Sequence, residues 1–240
     1  AYDWVFATLV MSICVAMILP IALGISGASK AATRSAPETQ SIRDALHEAS
    51  RHRGYLLLLL GFYVCGFQVN FIGSHLPAHI VDTGVAARWG AIALMLVAFF
   101  NMIGSWGCGW IGDRYRKKYA LSILYTFRTL LIVGFMVLPV TPWTIVIFSA
   151  GVGLTWLGTL PLVSGIIVDV FGVRYMAMLF GVVYFSHQLG AFTGIRLGGY
   201  IFDTSGSYDA IWLFAILVGA AAAIIHLPID DRPVARLVKA

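Results

Sequence analysis

The stretch GWIGDRYRKK, residues 109–118, carries five charged side chains between two long apolar runs, about 88–111 and 119–138. Each run is close to the roughly 20 residues an α-helix needs to cross a bilayer. Charges so dense are costly in hydrocarbon, so this stretch lies at a membrane surface and its neighbours run into the membrane. Composition agrees: 60% of residues are hydrophobic and 11% charged, whereas soluble domains carry about a quarter charged residues. Hydrocarbon offers the backbone no hydrogen bonds, so a chain spans it as helices or as a closed barrel, and helix-length apolar runs exclude the barrel. The fold class is therefore all-α, a polytopic membrane helical bundle.

Working outward, seven spans are predicted, at about 4–26, 54–78, 88–111, 119–138, 143–168, 175–201 and 208–228. The long polar stretch 27–53 reads as a linker with a short amphipathic helix near 39–49. Lys and Arg accumulate on cytoplasmic loops. Thirteen of them fall in the linker, the 112–118 loop, at Arg174 and in the C-terminal tail, while the opposite set of loops holds only Arg88. Those loops and the C-terminus are thus expected in the cytoplasm of a bacterial inner membrane. The same rule accounts for the net charge of +5 better than a nucleic-acid partner does. Cys14, Cys65 and Cys108 all lie in apolar runs, with the spacing of neither a metal site nor a disulfide framework. The first span has no basic leader, begins near Asp3 and is too long for a signal peptide. The chain also opens on Ala, so it is read as a fragment whose upstream part precedes it.

The six spans after the linker divide into two sets of three. The middle member of each is rich in glycine, with Gly104, Gly107 and Gly109 in one and Gly190, Gly194 and Gly198 in the other. The two middle spans cross in opposite directions, as inverted repeats require. The Gly190 row has the small-xxx-small spacing that lets two helix backbones approach closely.

The central stretch resembles the signature loop of the major facilitator superfamily: Gly, three residues, Asp, Arg, any residue, Gly, two basic residues. Gly109, Asp113, Arg114, Lys117 and Lys118 match, and Arg116 stands where the second Gly is usual. The resemblance implies half of a major facilitator fold: 1–26 as the last helix of a missing N-terminal half, 27–53 as the central linker, 54–228 as the C-terminal six-helix half and 229–240 as a tail. It also implies a gating role for the matching residues. A carboxylate such as Asp113 can cap a neighbouring helix, where backbone N–H groups and the dipole favour negative charge, locking one conformation and releasing in the other. Within the superfamily, GFYVCGFQVNFIGSHLPAHIVDTG (61–84) and FGVRYMAMLFGVVYFSHQLGAFTGIRLGGYIFDTSGSYD (171–209) resemble bacterial relatives of monocarboxylate and oxalate/formate carriers. Animal monocarboxylate carriers place an Asp and an Arg four residues apart in helix eight. Asn101 and Ser105 stand at those positions here, so that arginine is absent.

Polar groups inside spans are candidate site residues by default. Arg128, mid-span, either bonds neighbouring carbonyls or Asn101, or contacts substrate. Arg196 is the preferred partner for an anionic group, with snorkelling to the surface as its other reading. Tyr184 and Gln188 share a helix face. Tyr63, Phe67, Asn70 and Ser74 form a semi-polar stripe suited to a pathway, with Gln68 and His75 beside it; His75 is expected at the interface. His187 lies beside the glycine row, where it can bond across a tight helix contact. Trp156, Thr155 and Thr159 fall mid-span in a helix that the resemblance places on the cavity; the other reading of Trp156 is an aromatic that fills the bundle core. Tyr63, Asn70, Asn101, Trp156, Tyr184, Gln188, Arg196 and Arg128 are the substrate-binding candidates. No nucleophile, base and orienting acid converge and no phosphate-cradling loop occurs, so neither an enzyme nor a cofactor is expected. The function read from these features is a secondary transporter, a symporter or antiporter, moving a small organic anion by alternating access with protons as the coupling ion. Its alternative is a non-transporting receptor or assembly partner on the same fold.

Overall fold

A computed structural model describes residues 4–18, 20 and 40–238, and among these every regular element is a helix. The first, α1 (Trp4–Ala16), belongs to a separate unit from residues 42–240 and covers part of the first expected span. Residues 21–26 of that span and 27–39 of the linker lie outside the described residues.

The second unit begins with α2 (Ile42–Arg51), which matches the predicted amphipathic helix; its Ala45 and Ala49 are buried in the core. The helices that follow are α3 (Arg53–Asp82), α4 (Arg88–Arg114), α5 (Lys117–Val137), α6 (Pro142–Thr155), α7 (Thr159–Phe171), α8 (Met176–Ser205), α9 (Asp209–His226) and α10 (Ala235–Val238). Taking α6 and α7 together, six of these stretches are long and apolar enough to cross a membrane. Their ends are coded locally. Thr141 and Thr144 form a reciprocal capping box with Pro142 in the first turn, which satisfies N–H groups that have no intrahelical partner. At the same end of the bundle α8 stops at Gly206, whose φ of 70° most side chains avoid.

The sequence did not predict one feature of this order. The expected span 143–168 is two helices, because the chain leaves α-geometry at Trp156–Gly158. The spans represented by α3 and α8 also run longer than expected, at 30 residues each.

The six spans pack as two interlocked trios. The first helix of each trio lies on the middle helix of the other, α3 on α8 and α6 on α4, and the two third helices, α5 and α9, lie on each other. The glycines make this pairing possible. A Cβ on Gly190 would stand 2.0 Å from the carbonyl oxygen of Tyr63, and one on Gly194 2.4 Å from that of Phe67. In the other trio a Cβ on Gly104 would stand 2.0 Å from the carbonyl oxygen of Leu154. The predicted inverted symmetry is thus present as matching backbone contacts, α8 against α3 and α4 against α6.

Apolar side chains fill the interior in two clusters. One, toward the end rich in Lys and Arg, gathers Leu58, Phe62, Leu121, Ile166 and Leu179. The other gathers Phe71, Ile72, Ile132, Ile145 and Trp212. At the basic end the segment after α9 is tied down by Val234 N–H donating to Val170 O at 3.0 Å, and by Arg236 bonding Glu48 on α2 and the carbonyl of Phe171.

Candidate functional site

The break between α6 and α7 is held by side chains from two other helices. A helix C-terminus leaves carbonyls without partners and carries partial negative charge. Arg128, fully buried on α5, meets that need: its guanidinium donates to the Thr155 hydroxyl at 3.1 Å, to the Thr155 carbonyl, and to the Trp156 carbonyl at 3.2 Å. A fourth contact reaches Cys65 Sγ at 3.6 Å. Among the described residues no carboxylate forms an ion pair with it. From the other side, Asn101 Oδ1 on α4 accepts from the Leu157 N–H at 3.0 Å and from the Ser105 hydroxyl at 3.2 Å. The residues that stand in place of the carriers' Asp and Arg are thus spent on this break.

Around it lies a buried polar layer. Cys65 is fully buried with its thiol 3.4 Å from the Thr159 hydroxyl. Tyr125 donates to the Gly61 carbonyl at 2.7 Å. His187 is 5% exposed; its Nδ1 lies 3.1 Å from Gln188 Oε1, and Nε2 has no partner among the described residues. Its carbonyl oxygen stands 1.9 Å from where a Cβ on Gly66 would be, so it does sit at a tight helix contact.

Helical register separates the remaining candidates. Gly190, Gly194 and Gly198 face α3. At 100° per residue Tyr184 and Gln188 lie roughly 100° to one side of that row, and Thr193 and Tyr200 roughly 100° to the other. Asn70, whose amide donates to Gly66 O at 3.0 Å, sits one turn before Gly73, against which the Trp156 ring packs. Gln68, two residues earlier and so roughly opposite, is fully buried and donates to Ala215 O on α9. Asn70 and Trp156 therefore share the flank of Tyr184 and Gln188, on the side away from α9. Tyr184 is 41% exposed there and stacks on His187 with centroids 5.4 Å apart.

Arg196 is not on that flank. It is exposed and lines a groove of about 400 Å³ between α8, α9 and α3, with Tyr63 and Phe67. Tyr63 Oη lies 2.7 Å from Thr193 Oγ1 in the same groove. The predicted stripe of Tyr63, Phe67, Asn70 and Ser74 is thus divided between two sides of α3. His75 is not simply interfacial either: its ring nitrogens lie 3.4 Å from the Tyr208 hydroxyl and 3.0 Å from the Ile195 carbonyl, joining α3 to α8 and α9.

At the basic end, α4 stops at Arg114 and α5 starts at Lys117, so Tyr115 and Arg116 make the whole connection. Lys117 bonds Asp169 on α7 at 2.8 Å, and Lys118 donates to the Ile229 carbonyl at 2.8 Å. Arg116 pairs with Asp231, which holds that carboxyl below its usual range and raises the guanidinium in turn. Asp113 is exposed beside Gly109, Lys117 and Asp169 in a shallow polar recess, and no described residue bonds it. Arg116, the N-cap of α5, makes no side-chain capping bond.

Sequence reasoning named Thr155, Trp156, Thr159 and Cys65 but missed the helix break, Tyr125, and the layer in which Cys65, Tyr125 and Thr159 meet beneath it. Gly158 and Pro161, within a span otherwise free of breakers from 154 to 164, were the available signal.

A family model described as Major Facilitator Superfamily matches residues 2–192. An uncharacterized MFS-type transporter of Bacillus subtilis (strain 168), YcxA, is 26% identical over 95% of this chain and 57% of its own length. Monocarboxylate transporter 13 of Rattus norvegicus is 28% identical over 68% of this chain and 38% of its own. Monocarboxylate transporter 11 of Homo sapiens is 25% identical over 92% and 48%. The chain spans about half the length of the curated relatives it matches.

Proposed function

Because the chain belongs to the major facilitator superfamily, we propose that it is the C-terminal part of a secondary transporter that moves a small organic anion by alternating access, with proton coupling. In this reading residues 1–26 end the other half, 27–53 join the halves, 54–228 form this half and 229–240 its tail. The basic end faces the cytoplasm, since it gathers nearly all the loop Lys and Arg. The carboxylate class is carried over from the names of the relatives.

One observation supports this reading above the others. Asn70, Trp156, Tyr184 and Gln188 come from three spans yet share one flank, beside a helix break whose own polar groups are already bonded. Broken helices at the boundary between halves are where carriers of this kind build solute sites. Arg128 and Asn101 act there as supports. Arg196 lies outside this set, so the anion would meet amide, indole and phenol groups of this half and a cation from the other.

The test is uptake of labelled short-chain carboxylates by cells carrying the complete protein. Asn70→Ala and Trp156→Ala should each lower uptake about tenfold, the loss of roughly one good hydrogen bond or ring contact to solute, with membrane abundance unchanged. Unchanged uptake in both variants would remove this flank from the pathway. The 240-residue chain alone should not transport, because a midplane site needs both halves. Saturable uptake by it would overturn the two-half reading.

A further inference from the structure

We propose that the groove between α8 and α9 is a lipid site, in which one acyl chain of an anionic phospholipid lies along the groove and its phosphate is bound by Arg196. The groove holds about 400 Å³, and Phe67, Phe192, Leu197, Phe214 and Val218 give it carbon walls. Its two hydroxyls at the deep end are already engaged, Tyr63 with Thr193 at 2.7 Å and Thr193 with the Gly190 carbonyl at 2.9 Å. A polar solute would find no free donors on that floor, whereas a hydrocarbon chain needs none.

Depth fits the same occupant. A 30-residue helix such as α8 is about 45 Å long and the hydrocarbon about 30 Å thick, so about 7 Å projects on each side. Arg196 stands nine residues before Ser205, the last of α8, so its Cα lies about 6 Å inside the boundary, within reach of headgroups for an extended arginine. Tyr200, 64% exposed one turn further out, sits where interfacial aromatics concentrate. From Arg196 the groove descends past Phe214 to Val218, midway along α9, as an acyl chain would.

Charge selects the headgroup. Arg196 has no hydrogen bond or ion pair among the described residues, and no acidic residue lines the groove. A phosphate satisfies the guanidinium. The ammonium of a zwitterionic lipid would find no acid there, so a net negative headgroup is preferred.

Native mass spectrometry of the 240-residue chain released from nanodiscs of mixed phosphatidylglycerol and phosphatidylcholine tests this. One phosphatidylglycerol should be retained per chain, about fivefold over phosphatidylcholine, the preference expected of one basic residue near the surface. Arg196→Gln should abolish the preference and Arg196→Lys should keep most of it. Val218→Trp, which leaves the charge and fills the groove, should lower retention of both lipids. Glycerol 1-phosphate, the headgroup without chains, should not compete. Equal retention of the two lipids by the native chain, an unchanged preference in Arg196→Gln, or competition by glycerol 1-phosphate would each overturn the proposal. The readout counts lipid rather than flux, so its failure leaves the transport reading standing.

Discussion

Arg128 is a charge placed fully inside the bundle without a carboxylate partner among the described residues, and its cost is met by dipoles. Two carbonyls at the end of α6 and one hydroxyl take three of its five donors. Removing it should strand those carbonyls. Arg128→Met is expected to destabilise the chain by about 2 kcal/mol or more, seen as a lower thermal midpoint in detergent. Arg128→Lys should recover less than half of this, since one ammonium cannot reach both carbonyls in the planar geometry of a guanidinium. Asn101→Ala should cost about 1 kcal/mol or more by freeing the Leu157 N–H. Because both residues hold one break, their effects should couple by about 0.5 kcal/mol or more; simple additivity would show that the break is not a shared structure. Asp231 supports a second expectation. Arg116 holds its carboxyl below the usual range, so its contribution is complete above about pH 4 and fades as pH falls through the lowered value. The small difference in thermal midpoint between native chain and Asp231→Asn should therefore shrink on acidification from about pH 6 to 3, and a constant difference would remove the pair from the stability of that end. Arg128 and Asn101 were legible as costly polar residues and as possible partners of each other, but not as the two side chains that hold adjacent residues of one break, Thr155 and Trp156 by the first and Leu157 by the second. Sequence gives no sign of which backbone groups a break leaves unbonded.

At the scale of elements, the glycines do what their spacing announced. Gly190 and Gly194 let α8 meet the backbone of α3, and Gly104 lets α4 meet the backbone of α6. Gly194→Leu and Gly104→Leu should each destabilise by about 2 kcal/mol, the usual range for overpacking, because the obstruction is carbonyl oxygen and not a flexible side chain. Gly107→Ala, where a Cβ meets nothing within 4 Å, should be neutral or slightly stabilising. Equal damage at Gly107 would mean that the close backbone contacts at Gly104 and Gly194 do not set the effect. Most of the helices were legible because 20-residue apolar runs admit few other readings. Residues 156–158 were not, since TWLGT is apolar enough to pass as continuous helix and only neighbours in space reveal that its backbone groups are taken. The stripe of Tyr63, Phe67, Asn70 and Ser74 failed for a related reason. A sequence period defines one face of α3, but α8 crosses that helix obliquely, so Phe67 meets α8 and α9 while Asn70 does not.

For the whole molecule, the trios close on each other, and the polar groups left over at the basic end are few. Lys117 is bound to Asp169 and Arg116 to Asp231, and Lys118 to a carbonyl, while Asp113 stands exposed without a described partner. A carboxylate spared by its own half is available to a helix N-terminus of another, where such a contact contributes about 1 kcal/mol or more. If that contact forms in one conformation of the transport cycle and breaks in the other, it shifts their populations without touching solute. Asp113→Asn in the complete protein should then lower maximal uptake about fivefold, the equivalent of that contact, and leave the half-saturating solute concentration within about twofold. Trp156→Ala should show the reverse emphasis, a weaker affinity at a less affected maximal rate. Measuring both parameters for both variants in the same cells decides the matter, since a loss of affinity in Asp113→Asn as large as its loss of rate would place the carboxylate on the solute pathway and end its assignment as a latch.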